Sequence, residues 1–254
     1  MLRSTFVILK GIGEHTERRL WESGIADWET FLAADAPLGM AQPRKTLYDA
    51  DLTDALAHFH GGRGRYFAGR LKPRDHWRLY ESFRQAAVYL DIETTGEPAD
   101  AGEITVVGLY ADGQVTQLVR GETLTADRLH AELSSRQLLV TFAGSLFDVP
   151  YLRAKFPGLA LDLPHFDLCF AARRLGLKGG LKQIEPLVGL AREDTIRGMD
   201  GWEAVRLWHQ WRRGDREARE RLLTYNRADT VNLEPLAEHL FHRLRERLAS
   251  CPAG

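Results

Sequence analysis

The sequence lacks two features that would identify a class of protein at once. Its 254 residues include only two cysteines, Cys169 and Cys251, which do not form a Cys-x-x-Cys pair. A disulfide framework or a structural zinc site is therefore not expected, and Cys169 is predicted to be a small core residue. The net charge is −1, so the chain has no overall basic signature of the kind common in nucleic-acid-binding proteins.

Long apolar runs are also missing. The sequence has no stretch of the roughly 18 apolar residues that a membrane-spanning helix needs, and its first residues lack the apolar region and cleavage site of a signal peptide. We therefore expect a cytoplasmic protein that does not contact membranes.

The remaining composition is that of a globular chain. Hydrophobic residues make up 44% and charged residues 27%, so a substantial core can form. Basic residues are concentrated between Gly61 and Gln85, with seven Lys or Arg side chains against two acids. This segment is either a surface that faces phosphates or an exposed helix face or linker, and charge alone does not decide between them.

Two domains are predicted: residues 1–85 are helical, and residues 86–254 form an α/β domain. The first segment has helical patterns separated by glycines and few strand signals. Strands and helices alternate in the second, which indicates a mixed sheet flanked by helices. Strands are predicted over residues 86–90, 104–110, 115–119, 138–142 and 165–168, and helices over 126–133, 149–155, 181–188, 201–213, 215–226 and 230–248.

Asp91 and Glu93 end the apolar run that begins at Val88. Because side chains alternate along a strand, both carboxylates should point to the same side of the sheet. Two like charges repel there unless a divalent cation such as Mg²⁺ or Mn²⁺ lies between them. The alternative is a strand end in solvent, where both acids are simply hydrated.

Two further elements carry an acid. Asp148 follows Phe147 at the start of a predicted helix, where an N-cap is the favoured interpretation of an isolated Asp. Tyr225 and Asp229 are four residues apart, which places both on one helix face. They form either a structural pair or a metal ligand beside a hydroxyl that orients water.

Together these elements resemble the DEDD 3′-5′ exonucleases of the ribonuclease-H-like superfamily, in particular the YprB-type branch. Asp91 to Gly96 is similar to the first motif of that family, Phe147-Asp148 to the second, and Tyr225-x-x-x-Asp229 to the third, in its DEDDy form. The resemblance implies two ions, Mg²⁺ or Mn²⁺, held by Asp91, Glu93, Asp148 and Asp229. Tyr225 would orient the attacking water.

The resemblance also implies how the substrate is held. Thr94, Thr95 and Gly96 would contact the terminal nucleotide together with Phe147, and Lys182 would meet a phosphate of the entering strand.

The sequence departs from the family at Ala143, where many relatives have an Asn that helps to place that nucleotide. The expected partner is nucleic acid that is single-stranded or has a free 3′ end, with DNA slightly favoured over RNA.

The segment from Leu9 to Ile25 resembles a helix-hairpin-helix module. Gly11 and Gly13 would let the backbone approach a phosphate at a helix N-terminus, although Glu14 and Glu17 would also face that phosphate. The alternative is a small helical cap that only packs on the nuclease domain.

Two other functions are consistent with the same motifs. One is a nucleic-acid-binding scaffold that has lost turnover. The other is a ribonuclease-H-like endonuclease, which a substrate with blocked ends would distinguish from an exonuclease.

Overall fold

The computed structural model describes residues 1–250. Within that range the chain forms eleven α-helices, several short 3₁₀ turns and one sheet. The helices are α1 (Glu14–Glu22), α2 (Trp28–Ala33), α3 (Gln42–His60), α4 (Tyr80–Phe83), α5 (Ala126–Ser134), α6 (Asp148–Lys155), α7 (Leu168–Arg174), α8 (Leu181–Ile184), α9 (Gly201–Arg212), α10 (Arg216–Val231) and α11 (Leu233–Ser250).

The sheet has five strands in the described chain, in the order β3-β2-β1-β4-β5. Strands β1 and β2 pair antiparallel, as do β2 and β3, whereas β1, β4 and β5 run parallel. A mixed sheet flanked by helices is therefore confirmed. The strands are β1 (Ala87–Thr94), β2 (Ile104–Ala111), β3 (Gln114–Val119), β4 (Leu138–Thr141) and β5 (His165–Asp167).

The two faces of β1 serve different purposes. Val88, Leu90 and Ile92 are buried in one core with residues of α5 and α6. Tyr89 points to the opposite face, into the core that contains α11. Because side chains alternate, Asp91 must share that face with Tyr89. The sheet therefore has a closed apolar side and a side where carboxylates meet α10.

Five helices begin at a side-chain cap. In each, an Asp or Thr before the first helical residue accepts a hydrogen bond from a backbone N–H of the first turn, which satisfies a donor that the helix leaves unpaired. These caps are Asp27, Thr125, Asp167, Asp200 and Asp215.

The N-terminal segment packs directly on the sheet. One apolar cluster extends from Leu2 and Trp28 to Val140 and Phe166 in the sheet. No strand forms among residues 1–85, all of which the structure describes. The division at residue 85 stays a prediction, although the shared cluster shows that the two segments bury apolar surface against each other.

An ion pair is buried within the N-terminal segment. Arg78 Nη1 donates to Glu17 Oε2 at 2.8 Å, and both side chains are fully buried. Glu17 Oε1 also accepts from the backbone N–H of Phe6 at 2.6 Å. The expectation that Glu17 would face a phosphate is wrong, because Arg78 and two backbone donors hold it inside the protein.

Most predicted elements are found, with differences at their ends. β1 continues through Asp91 to Thr94, because the acids remain paired to β2 in the ladder. Leu168 starts α7 instead of ending β5, since the Asp167 side chain caps the helix there. Cys169 is buried as predicted, and Cys251 lies outside the described residues. Across the described helices, the structure contains none long and apolar enough to cross a membrane.

Candidate metal centre

Strand β1 places its two acids on the face that α10 covers. Asp91 pairs with Gly108 of β2, and Glu93 pairs with Val106. Asp91 is half-buried and Glu93 is buried. The prediction that both acids point to one side of the sheet is confirmed, because both lie close to Asp229 on the facing helix.

Helix α10 approaches the sheet at Gly108. A Cβ at this position would overlap the Thr230 hydroxyl and lie 2.5 Å from Asn226 Oδ1, so only glycine allows this approach. Asn226 Nδ2 donates to Asp91 Oδ2 at 3.1 Å. Asn226 was not identified from the sequence, although its position between Tyr225 and Asp229 on the same helix was the available signal.

Gly108→Ala is expected to separate α10 from the sheet. The added methyl group has no space beside Thr230 and Asn226, and overpacking of this kind costs about 1–3 kcal/mol. We expect a lower melting temperature and a smaller stabilisation by Mg²⁺. The matched control is Gly201→Ala, where a Cβ meets nothing within 4 Å. Equal melting temperatures and equal Mg²⁺ responses for both variants would contradict this role of Gly108.

Three carboxylates converge closely enough to share an ion. One oxygen each from Asp91, Glu93 and Asp229 lies within 4.8 Å of the others. Glu93 Oε1 is buried and accepts no hydrogen bond from any residue in 1–250. Unpaired carboxylate oxygens in a buried group are the ligands that Mg²⁺ and Mn²⁺ take, so the donor set fits a divalent metal.

Crowding and burial raise the pKa values of these acids. The pKa of Asp91 lies well above its usual value because of burial and then the Glu93 charge, and that of Glu93 because of burial and then Asp229. Burial raises the pKa of Asp148 to about 7. It also raises the pKa of Asp229, although the Lys182 ammonium opposes this. Burial and mutual repulsion thus oppose the ionisation of these carboxyls in the absence of metal.

Asp148 lies behind the three convergent acids. Its Oδ1 accepts from the backbone N–H of Ile92 at 3.0 Å, and its charge contributes to the raised pKa of Asp91. The N-cap interpretation is wrong: Phe147 occupies the N-cap position of α6, and Asp148 is its first residue. The Asp148 carboxylate instead accepts a hydrogen bond from the backbone N–H of Ile92 in β1.

Comparison with models of known protein families identifies the superfamily of this chain. A family model described as RNase_H superfamily matches residues 88–241, which is more than half of the 254 residues. The chain belongs to the RNase_H superfamily. A nuclease-type fold of this superfamily suggests hydrolysis of nucleic acid, and its nucleases usually use divalent metals.

Two solved structures resemble the RNase_H superfamily fold of this chain. One, described as the apo form of the nuclease, is 20% identical with a TM-score of 0.49, and the match covers 70% of this chain and 79% of that one. The other is the Aedes aegypti Nibbler EXO domain, 14% identical with a TM-score of 0.47, covering 69% and 90%. Both likenesses concern the fold alone. No curated protein matches the chain.

Two cationic side chains enter the acid site of this RNase_H superfamily protein. Lys182 Nζ donates to the Tyr225 hydroxyl and lies 3.6 Å from Asp229 Oδ2. Arg192 Nη2 lies 2.5 Å from Asp229 Oδ1. Both cations pair with Asp229, and Asp91, Glu93 and Asp148 form no ion pair with a residue of the described chain, so these acids remain available to a divalent metal.

A second acid holds Arg192 in place. Glu185 accepts two hydrogen bonds from the Arg192 guanidinium, at 2.6 and 2.7 Å, and a third from Asn232 at 2.9 Å. Arg192 and Glu185 were not identified as site residues, because Arg192 lies in a segment that forms neither helix nor strand, where no periodicity indicates the direction of a side chain. Arg192 thus connects Glu185 to Asp229 through two ion pairs and helps to hold the Asp229 carboxylate in position.

The residues after Glu93 form a compact turn. The Thr94 hydroxyl accepts from the Gly96 N–H at 3.2 Å, and the Thr95 hydroxyl accepts from the Glu103 N–H at 2.9 Å. Gly96 has a φ of +96°, which favours glycine, and a Cβ there would lie 3.4 Å from Trp202. The turn places Thr94 and Gly96 at the end of β1, beside the acids.

Three apolar side chains are exposed near the acids. Phe147 is 48% exposed, with its ring centroid 5.7 Å from that of Tyr151. Leu146 is exposed next to it, and Trp202 is 70% exposed beside the β1 turn. Trp202 was not identified as a site residue from the sequence, because its place beside Gly96 depends on how α9 packs against β1.

Proposed function

We propose that this protein is a two-metal-dependent 3′-5′ exonuclease of the DEDDy type that degrades single-stranded nucleic acid, with DNA slightly favoured over RNA. The observation that carries this proposal is the convergence of Asp91, Glu93 and Asp229 with Tyr225 one helical turn before Asp229. The YprB-type motif resemblance supports the same activity. The slight preference for DNA rests on the resemblance of the N-terminal segment to a helix-hairpin-helix module.

The four acids would hold the metal ions. Asp91, Glu93 and Asp229 offer convergent oxygens, and Asp148 lies behind them as the ligand implied for the second ion. When bound, such ions activate water and offset negative charge on the phosphate that is attacked. Asn226 and Arg192 orient Asp91 and Asp229 from either side.

Tyr225 would orient the attacking water. Burial and the nearby Asp229 charge raise its pKa far above neutral, so the hydroxyl keeps its proton. Because Lys182 already donates to the hydroxyl oxygen, the Tyr225 proton is available to a water or to a phosphate oxygen. Thr94, Thr95, Gly96 and Phe147 remain our proposed contacts to the terminal nucleotide.

A labelled-oligonucleotide assay tests the proposal. Single-stranded DNA and RNA carrying a 5′ label are incubated with Mg²⁺, with Mn²⁺ or with chelator. We expect a metal-dependent ladder that shortens from the 3′ end. Cleavage of a circular single strand would instead indicate an endonuclease, and binding without cleavage under every condition would indicate a scaffold.

Ala143 offers a second test of the site. Its φ of +61° is a left-handed conformation that costs about 1–2 kcal/mol for most residues with a Cβ and that Asn tolerates better. Ala143→Asn restores the amide that many relatives have. We expect up to about a tenfold gain in kcat/KM, the effect of one added hydrogen bond to the terminal nucleotide.

The control for this variant is Ala143→Gly, which relaxes the backbone without adding an amide. Thermal unfolding should show that both variants are at least as stable as the natural chain. An equal change in kcat/KM for both variants would mean that backbone strain, and not the Asn side chain, limits the rate.

A further inference from the structure

A groove of about 660 Å³ separates the N-terminal segment from helix α7. One wall is formed by Arg74 and Trp77, and the other by Phe170, Arg173 and Arg174. The groove also reaches Ser145, in the loop that leads into α6 and the acid site. No step of the proposed reaction uses these residues.

The rim of the groove is cationic. Arg173 is exposed and forms no ion pair with an acid in residues 1–250. Arg74 Nη2 and Arg174 Nη2 each lie 4.0 Å from Glu14 Oε1, and Arg74 Nε also lies 3.6 Å from Asp75 Oδ2. The three arginines of the walls outnumber Glu14 and Asp167, the two acids that line the groove. The wall residues therefore carry excess positive charge, although the whole chain is nearly neutral.

Hydrogen-bond donors offset part of the negative charge of Asp167, the second acid that lines the groove. Asp167 accepts from the backbone N–H groups of Ala143 at 2.9 Å, Ser145 at 3.0 Å and Cys169 at 3.1 Å. It also accepts from the Ser145 hydroxyl at 2.6 Å. Four donors thus satisfy its carboxylate.

Aromatic rings lie beside these arginines. Phe170 is 41% exposed, whereas its neighbours Cys169 and Ala171 on α7 are buried. The Arg173 guanidinium is 5.6 Å from the Phe170 ring centroid. An exposed ring beside cations is the arrangement that binds single strands, because bases stack on the ring while phosphates meet the cations.

The position of the groove relates it to the acid site. Strands β1, β4 and β5 are parallel, so their carboxyl ends lie along one edge of the sheet. Asp91 and Glu93 lie near the carboxyl end of β1, and α7 follows β5, two strands away. Two strand spacings of about 4.8 Å place the end of β5, where α7 begins, roughly 10 Å from the β1 end. A strand whose terminal nucleotide lies at the acids could therefore place the adjacent nucleotides in the groove.

We propose that this groove binds the single strand upstream of the nucleotide being removed, with a base stacked on Phe170 and a phosphate at Arg173. The inference rests on the proposed exonuclease function for the direction of the strand. It gives the N-terminal segment a role, because Arg74 and Trp77 form the wall that faces α7.

Fluorescence anisotropy in chelator tests the groove independently of hydrolysis. Phe170→Ala is expected to raise the Kd of a labelled 12-nucleotide single strand roughly tenfold, as expected for the loss of one base stack. The effect should vanish on a strand whose upstream positions near the 3′ end are abasic. Leu47→Ala, which truncates an exposed apolar residue of α3, is the matched control and should leave Kd unchanged.

Charge is tested by Arg173→Gln. The Kd of this variant for the labelled single strand should rise. The slope of log Kd against log salt concentration should fall by about one, which is the effect of one lost phosphate contact. Arg128→Gln is the matched control, since Arg128 is exposed on α5 at the opposite face of the sheet. The proposal would be overturned if Phe170→Ala and Arg173→Gln both kept the Kd of the unmodified protein. Full competition by a polyglutamate peptide would also overturn it.

The two proposals can fail separately. A chain that binds strands through the groove but never shortens them would refute the exonuclease and leave the groove as a binding site. Shortening from the 3′ end with unaltered Kd in the Phe170 and Arg173 variants would refute the groove alone.

Discussion

Asp91→Asn is expected to abolish metal-dependent hydrolysis and to raise the melting temperature of the metal-free protein. Hydrolysis should fall by more than about a hundredfold, since groups that merely support metal ligands already contribute about 10–100-fold. Stability should rise because the variant removes one charge from the buried acids that raise each other's pKa. An amide also keeps an oxygen to accept from Asn226.

The gain in stability should be on the order of 1–2 kcal/mol, or roughly 2–8 °C in melting temperature. It is measured by thermal unfolding in metal-free buffer at pH 8, beside hydrolysis of a labelled strand. Asp127→Asn, on the exposed first turn of α5, is the control and should change neither quantity. Loss of hydrolysis together with a lower melting temperature would mean that Asp91 stabilises the fold instead of crowding a metal site.

Mg²⁺ is expected to stabilise the protein at pH 8 and to have almost no effect at pH 5. Burial holds the pKa of Asp148 at about 7, and those of Asp91 and Glu93 well above their usual values. The folded protein thus keeps protons that the unfolded chain releases near pH 4. The stability gained from these neutral carboxyls is complete below pH 4 and is lost as pH rises through the folded pKa values.

Metal binding requires the charged carboxylates, so affinity should increase over the same pH range. The measurement is the difference in melting temperature between Mg²⁺ and metal-free samples at pH 5, 6, 7 and 8. Burial lowers the pKa of His165 to about 4, and protonation of its unfolded form acts in the opposite direction. Because His165 contributes equally to the samples with and without Mg²⁺, its contribution cancels in the difference between their melting temperatures. A difference that is constant from pH 5 to 8 would contradict an acid metal site.

The positions of the acids on their elements could be predicted from local patterns. A spacing of two in an apolar strand determines that Asp91 and Glu93 share a face, and a spacing of four in a helix does the same for Tyr225 and Asp229. The order of strands and helices also indicated a mixed sheet with helices on its faces. These properties depend on backbone periodicity, which neighbouring residues set.

Interpretations of isolated residues were less successful. Asp148 at a helix start has the pattern of an N-cap, but its carboxylate bonds the β1 backbone, 56 residues earlier in the sequence. Glu17 was expected to face a phosphate, but it is buried against Arg78, 61 residues away. In both cases the partner that decides the side chain's position is distant in sequence.

By itself, the sequence determined which elements form, which faces of them are apolar, and which acids each element presents. Only the tertiary structure decided that Gly108 lets α10 approach β1, that Glu185 and Arg192 support Asp229, and that Arg74 lies across a groove from Phe170. The physical reason is range: periodicity acts within a few residues, whereas close packing and ion pairing join residues that the chain separates by tens of positions.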